Sequence, residues 1–233
     1  PSIALFQLPG GQSARVRGLD FRSPQVFQVL TTHVIDSVVA FESCTFAGAL
    51  TIQEVMLARD SSVSVRGCDL IVHTTAVDNP ALRAEQSRIV AVDCSFRGSD
   101  LTPDGSAGAG DGIRATNSHL HLVRCLVRGG DTPTVFCFDP PGDGVGTDRG
   151  DRTWIAVSTL VGGTRACGPG GAALVNTSAS PARLARTTLQ PGVGTTPGPI
   201  AVGPTVADDL IGLAAPSQAL TRGVAYRVDD RTD

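Results

Sequence analysis

An internal repeat is the feature of this sequence that most restricts its fold. The segment SRIVAVDCSFRGSD begins at Ser87 and SHLHLVRCLVRGGD begins at Ser118, so Ser, apolar residues, Cys and Gly recur at the same offsets. Further copies align on the cysteine position, at Leu19, Cys44, Cys68, Cys94, Cys125, Thr159 and Thr187. Repeats with a period of about 25 residues are single supersecondary units that bury a face only by stacking. The chain is therefore predicted to form a solenoid.

The spacing inside each copy indicates which solenoid forms. Apolar residues stand five and three positions before the aligned position and two positions after it, as Ile89, Ala91 and Phe96 do around Cys94. Steps of two are typical of strands, whereas a step of three reverses the face unless the chain bends. A Ser that often follows Asp, Asn or Gln marks another corner, where a short polar side chain can bond its own backbone.

These corners predict an all-β, single-domain parallel β-helix over residues 1–192. We expect about seven turns of three short strands, with long loops on the middle turns. Residues 193–233 are predicted to form a Pro/Gly-rich tail, with a short strand that packs on the helix or on a neighbour.

The cysteines fall into two groups. Four stand at the aligned position and are predicted to stack inside the helix as reduced, buried thiols, because stacked Cβ atoms about 4.8 Å apart are too distant for a disulfide. Stacked cysteines also point the same way, so they do not converge on a metal. Cys137 and Cys167 lie in loops one turn apart, and we expect a disulfide between them in an oxidising compartment.

The consensus S-x-φ-x-φ-x-x-C-x-φ-x-G, with GDGI at Gly110–Ile113, resembles the right-handed parallel β-helix superfamily of pectate lyases, polygalacturonases, phage tailspikes and surface adhesins. The resemblance covers residues 11–192 and concerns the fold. It implies a right-handed helix, in agreement with the handedness of parallel crossovers. The resemblance implies that a polysaccharide-cleaving protein of this kind carries clustered Asp residues, often with Ca²⁺ and an Arg base, on the outside of one sheet.

Few carboxylates occupy the outward positions beside the aligned ones. Asp20 and Asp69 are two turns apart, about 9.6 Å, which is a poor spacing for an acid and base pair. An alternative is a polysaccharide lyase or glycoside hydrolase acting on an acidic glycan, with Asp111, Asp143 and Arg114 as the catalytic residues.

The acidic loops also suggest a cation. Asp139, Asp143, Asp148 and Asp151 lie among Gly and Pro residues, and flexible, oxygen-rich loops can hold Ca²⁺. Their spacing matches neither an EF-hand nor the Gly-rich nonapeptide repeat, so we expect ordinary solvated turns and no cofactor, with Ca²⁺ as the alternative.

His119 and His121 point outward from one strand, and Arg15, Arg88 and Arg183 occupy comparable positions on other turns. Two His residues at this spacing bind a transition metal only if a loop brings a third ligand. We expect solvated surface histidines.

The outward positions become apolar on the turns with long loops. The predicted apolar stripe comprises Val90, Val92, Val123, Leu126, Ile155, Val157 and Leu160, while Trp154 and Ala156 point inward. Such a stripe is either covered by loops 99–112 and 130–150 or used to dock a partner.

Charge and hydropathy restrict the classes of partner that the chain can bind. The net charge is −3, and the 19 basic residues, all Arg, are scattered singly, which excludes the basic stripe that nucleic acid requires. No apolar run is long enough to insert in a bilayer. We expect a non-catalytic structural or binding module, secreted or at the cell surface. It would self-associate end to end into a fibre or oligomer, or bind other surface proteins or glycans, and passive carbohydrate binding on the flat outer sheet is compatible with it.

Overall fold

The computed structural model describes residues 3–6, 8, 12–22, 32–48, 55–73, 78–101, 108–132, 140–149 and 152–208. Short strands follow one another along these residues. They are β1 (Ile3–Phe6), β2 (Ala14–Arg17), β3 (Asp20–Arg22), β4 (Thr32–Ile35), β5 (Val38–Glu42), β6 (Thr45–Gly48), β7 (Met56–Arg59), β8 (Ser62–Arg66), β9 (Asp69–Val72), β10 (Leu82–Glu85), β11 (Arg88–Val92), β12 (Ser95–Arg97), β13 (Ile113–Thr116), β14 (His119–Val123), β15 (Leu126–Arg128), β16 (Val145–Asp148), β17 (Arg152–Ala156), β18 (Thr159–Val161), β19 (Leu174–Asn176), β20 (Ala182–Ala185), β21 (Thr188–Gln190), β22 (Ala201–Val202) and β23 (Thr205–Asp208). The described residues contain no helix with the length and hydrophobicity needed to cross a bilayer.

The strands form three parallel sheets. Every third strand belongs to the same sheet: β1, β4 and onward to β22 form sheet A, β2, β5 and onward to β23 form sheet B, and β3, β6 and onward to β21 form sheet C. Each strand pairs in register with the equivalent strand of the next turn, as Arg88–Val92 does with His119–Val123. The predicted all-β solenoid with three strands per turn is confirmed.

Inward side chains of the three sheets form one continuous core. Alternate residues point inward in the strands whose side chains are described, and Phe41, Phe46 and Phe96 are among the largest side chains that are fully buried. The rings of Phe41 and Phe46 meet edge to face, with centroids 5.4 Å apart. Burial of apolar area at about 25 cal/mol per Å² drives the stacking of successive turns.

The four cysteines at the aligned position are buried and free, as predicted. Each thiol donates a hydrogen bond to the carbonyl two residues earlier, for example from Cys94 to Val92 at 3.1 Å. The thiol hydrogen bond with Cys94, followed by burial, raises the pKa of Cys68 far above its ordinary value. The four buried cysteines therefore pack as small apolar residues of the core.

Two corners of each turn depend on residues in the left-handed region. Asp36, Asp60, Gln86 and Asn117 adopt φ between 48° and 56° where sheet A turns into sheet B. The Ser that follows each of them stacks on the next: the Ser87 N–H donates to the hydroxyl of Ser118 at 3.1 Å. The predicted corner of a polar residue and Ser is thus confirmed, and short polar side chains suit it because they tolerate this conformation.

The sequence alignment is wrong by one residue in the sixth copy. Ser158, and not Thr159, occupies the cysteine position there. Its hydroxyl accepts a hydrogen bond from the Cys125 N–H at 3.0 Å and donates one to the Ala156 carbonyl at 2.8 Å. A hydroxyl can therefore replace the thiol, because it makes the same bond to the carbonyl two residues earlier.

This shift of one residue turns every side chain of β17 to the opposite face. Ile155 and Leu160, which we predicted to belong to the outward stripe, are fully buried in the core. Trp154, which we predicted to point inward, is 38% exposed on the outside of sheet B.

The solenoid continues past residue 192, where we predicted its end. β22 pairs with β19 in sheet A, and β23 pairs with β20 in sheet B. The predicted boundary is therefore too early. The remainder of the predicted tail, residues 209–233, lies outside the described residues.

The loops between sheets C and A begin and end close together, at a place that we call the neck, which includes Ser99, Gly110, Gly130 and Gly142. Backbone hydrogen bonds link the start of one loop to its end and then to the start of the next loop. The Gly110 N–H donates to the Ser99 carbonyl at 2.9 Å, the Gly130 N–H to the Gly110 carbonyl at 2.8 Å, and the Gly142 N–H to the Gly130 carbonyl at 3.0 Å. A Cβ atom on Gly130 would lie 1.8 Å from the Ser99 carbonyl oxygen. The recurrent Gly of the sequence is required by this close approach.

Candidate functional site

The outside of sheet B carries a group of polar and aromatic side chains on four neighbouring turns. We call it the Arg-His-Trp face, and its members are Arg88, His119, His121, Arg152, Trp154 and Arg183. Parallel pairing aligns them in two columns along the solenoid axis. Arg88, His119 and Arg152 form one column, and His121, Trp154 and Arg183 form the other.

Trp154 is the centre of this face. It is the only Trp of the chain, and it lies across from His121 with ring centroids 5.8 Å apart and an angle of 58° between the rings. A groove of about 460 Å³ passes over the indole and is also lined by His121, Arg152 and Arg183. A large aromatic surface left exposed beside polar groups is typical of a binding site.

Residues 152–185 and the other described segments provide no acidic partner for the arginines of this face. Several outward arginines elsewhere are paired: Arg124 contacts Asp93 at 2.6 Å and Arg59 contacts Glu85 at 2.7 Å. Within the part of the chain that the structure describes, none of the ion pairs includes Arg88, Arg152 or Arg183. The four strands β11, β14, β17 and β20 contain no Asp or Glu.

The imidazole of His121 reports on this positive environment. Burial, and then the charges of Arg88 and His119, lower the pKa of His121 below its ordinary value. His121 is therefore neutral at pH 7 and presents one hydrogen-bond donor and one acceptor. Among the described residues, no group of three or more His, Cys, Asp or Glu converges in a way that would hold a metal, so the two histidines lack a third ligand there.

The three residues of the catalytic alternative do come together, at the neck. Arg114 donates to Asp111 at 2.8 Å and, through its other nitrogen, to both oxygens of Asp78 at 3.0 and 2.8 Å. The Asp111 carboxylate also accepts the Asp143 N–H at 2.9 Å. Burial, followed by the charge of Asp111, raises the pKa of Asp143 to about 7. We call Asp78, Asp111, Arg114 and Asp143 the neck cluster.

The contacts of the neck cluster are mainly structural. Asp111 accepts the N–H of the next turn, and Asp143 does the same for Ala172 at 2.8 Å. An equivalent ladder stands at the start of the loops, where Asp100 accepts the Asp131 N–H at 2.9 Å and Asp131 accepts the Thr164 N–H at 2.7 Å. Because the arrangement recurs on both sides of the neck, the carboxylates serve to bond successive loops together.

The calcium alternative finds little support among the described residues. Asp143 lies two residues before β16 and Asp148 ends that strand, so the strand separates them. Asp148 instead pairs with Arg149 at 3.4 Å. Asp139 and Asp151, the other two predicted ligands, lie outside the described residues.

The predicted apolar stripe is reduced by the shift in β17. Leu126 and Val157 are 48% and 51% exposed, and they lie on the edge of the solenoid between sheets B and C. Val90, Val92 and Val123 are partly buried on the outside of sheet B. The loops predicted to cover the stripe leave from the corner between sheets C and A, away from these side chains.

One of the two loop cysteines, Cys167, lies within the described residues. Cys167 is disulfide-bonded. Cys137, the predicted partner, lies outside the described residues.

Trp154 and Arg152 are the site residues that sequence reasoning missed. Placing Ser158 at the cysteine position would have found them, since Thr153, Ile155 and Leu160 then follow the inward spacing. His121, Arg88 and Arg183 had been placed correctly on the outside.

The fold defines the chain as a parallel β-solenoid. No family model matches the chain, and no curated protein matches it. Among solved structures it is similar to full-length QnrB1, a plasmid-mediated fluoroquinolone resistance protein. The identity is 12%, the match covers 90% of this chain and 94% of that chain, and the TM-score is 0.17. A likeness at this TM-score supports no statement about the function of this chain.

Proposed function

We propose that this protein is a non-catalytic binding module, secreted or displayed at the cell surface, that holds an acidic glycan on the Arg-His-Trp face. The observation that carries the proposal is an exposed Trp154 on a flat parallel sheet, beside arginines that have no acidic partner among the described residues. An indole offers an apolar surface to a sugar ring, and guanidinium groups pair with carboxylates or sulfates in a fixed geometry.

Two further observations fit this proposal. A disulfide at Cys167 favours an oxidising, extracellular compartment. The consensus turns resemble the superfamily of pectate lyases, tailspikes and adhesins, whose polysaccharide-cleaving members carry their site on the outside of one sheet.

The chain offers its own probe for a test. Because Trp154 is the only Trp, its fluorescence reports binding at this face alone. We expect titration with acidic oligosaccharides to change the emission and the effect to weaken with added salt, because exposed charges are screened. Unchanged emission across acidic and neutral glycans would refute the proposal.

A matched pair of variants locates the charge that matters. Arg183→Ser removes a cation beside the indole, whereas Arg83→Ser removes an outward cation of sheet A that pairs with Glu85 at 2.8 Å. We expect the first variant to lose about tenfold in affinity and the second to retain it. Equal losses would mean that overall charge, and not this face, attracts the glycan.

Hydrolysis or elimination at the neck cluster is a second candidate. It is favoured by the pKa of Asp143, near 7 beside Arg114, which suits a general acid. Release of reducing or unsaturated ends from an acidic glycan, lost in Asp143→Ala and kept in Asp131→Ala, would support it. No turnover would leave the binding function standing.

We also propose self-association through the ends of the sheets. The last turn ends with β22 and β23, each of which pairs with a strand on one side in the described topology. Exposed edges of this kind invite pairing with another chain. Light scattering over a wide concentration range tests this proposal, and a constant monomer mass would refute it.

A further inference from the structure

The arginines of the Arg-His-Trp face lie on three of its four turns, on β11, β17 and β20. Arg88 on β11 and Arg152 on β17 lie in one column, with His119 of β14 between them. Adjacent strands are about 4.8 Å apart, so the two guanidinium groups start from backbone positions about 9.6 Å apart. In this column the two guanidinium groups are therefore separated by the turn that carries His119.

The second column adds an aromatic ring and a third guanidinium group near Arg152. Trp154 is on the same strand as Arg152, and Arg183 stacks on Trp154 from the next turn. The indole thus lies in a groove with a guanidinium on either side. One sugar on this indole can direct an anionic group to either arginine.

The turn between the charged positions is different. β14 presents His119 and His121, and the neutral imidazole of His121 can exchange hydrogen bonds with sugar hydroxyl groups. An additional anionic group at this turn would have no guanidinium directly beneath it.

We propose that the ligand is an acidic polysaccharide that carries one anionic group on every second sugar and runs along the solenoid axis. This inference rests on the proposed glycan-binding function. An extended chain of β-linked pyranoses advances by a distance comparable to the strand spacing for each sugar. One sugar then lies over β17, stacked on Trp154, an uncharged sugar lies over β14, and the next acidic sugar meets Arg88.

Three β-linked oligosaccharides of equal length test the spacing. Hyaluronan oligosaccharides carry a carboxylate on alternate sugars, oligomannuronate carries one on every sugar, and cello-oligosaccharides carry none. If charge alone attracted the ligand, oligomannuronate would bind most tightly of the three. We expect hyaluronan to bind about tenfold more tightly than either of the other two, as measured by Trp154 fluorescence at constant ionic strength.

A variant that places a guanidinium between Arg88 and Arg152 gives an independent measurement. His119→Arg adds a guanidinium between Arg88 and Arg152 on the exposed surface, where it leaves the core unchanged. We expect this variant to shift the preference towards oligomannuronate. Arg88→Ser is expected to weaken hyaluronan binding and to leave the weak binding of the cello-oligosaccharide as it is.

The outcomes separate this inference from the function on which it rests. Oligomannuronate binding as tightly as hyaluronan in the unmodified protein would overturn the alternating spacing and leave acidic glycan binding in place. A preference unchanged by His119→Arg would also overturn the spacing. No response to any of the three oligosaccharides would refute both.

Discussion

Replacing Asp143 by Asn should stabilise this protein at alkaline pH. Burial and the neighbouring charge of Asp111 raise the pKa of Asp143 from 3.8 to about 7. The folded state therefore favours the protonated carboxyl group. Its contribution to stability is fully present below pH 3.8 and is lost as the pH rises through about 7.

The size of the effect follows from this change in pKa. About three units at about 1.4 kcal/mol each give a ceiling of about 4 kcal/mol at pH 8. Asp143 is only partly buried and shares its titration with Asp111, so we expect a gain of about 2 kcal/mol. Asn keeps the oxygen that accepts the Ala172 N–H at 2.8 Å, and only the charge is removed.

Asp131→Asn is the matched control on the other side of the neck. Burial raises the pKa of Asp131, but hydrogen bonds from Thr164 and Arg128 outweigh it and hold the pKa below its ordinary value. The folded state thus favours the charged form of Asp131. We expect Asp131→Asn to cost about 1 kcal/mol at pH 8, the opposite sign to Asp143→Asn.

Urea denaturation at pH 8 and pH 5 measures both variants. The advantage of Asp143→Asn should be largest at pH 8 and should shrink at pH 5, where the native carboxyl group is already protonated. If Asp143→Asn is destabilised at pH 8 as much as Asp131→Asn, the ionised carboxylate of Asp143 contributes to the fold and the reasoning fails.

Three further predictions concern the backbone and the core. Val157 is a β-branched residue at φ 52°, so Val157→Gly should gain about 1 kcal/mol in a urea titration, while Val38→Gly, in a strand, should lose stability. A loss in Val157→Gly would contradict this. Gly130→Ala places a Cβ atom 1.8 Å from the Ser99 carbonyl oxygen and should cost about 3 kcal/mol or more, and a cost under about 1 kcal/mol would show that the neck yields. The thiol of Cys68, like the other three stacked thiols, should react with a thiol reagent only after unfolding; fast labelling of the native protein would refute their burial.

The fold could be predicted because the interior of a solenoid repeats its demands on every turn. An inward position accepts only apolar or small residues, so Phe46, Leu70 and Phe96 recur at a fixed offset. The corners are equally visible, since few residues tolerate positive φ. The same reasoning failed at Thr159, because Ser158 and Thr159 are both small and polar and the sequence alone does not say which of them replaces Cys.

The candidate site could be predicted only in part, for two physical reasons. A shift of one residue reverses the faces of a strand, and it hid Trp154 from the outward positions. Ion pairing also depends on which residue lies on the next turn: Arg124 meets Asp93, whereas Arg88 meets His119. The sequence shows both arginines, but only the register shows that Arg124 lies next to a carboxylate and Arg88 next to an imidazole.

The carboxylates of the neck cluster bond to the backbone, whereas the arginines of the Arg-His-Trp face project away from it. At the neck, carboxylates accept N–H groups of successive loops, so a substitution there acts first on stability. On sheet B the backbone groups are already paired within the sheet, and Arg88, Arg152 and Arg183 project outward without a structural partner among the described residues. Substitutions of these arginines should therefore change glycan affinity with little change in the urea midpoint. A variant such as Arg183→Ser that lost both together would show that the face supports the fold and would remove the main argument for a binding site.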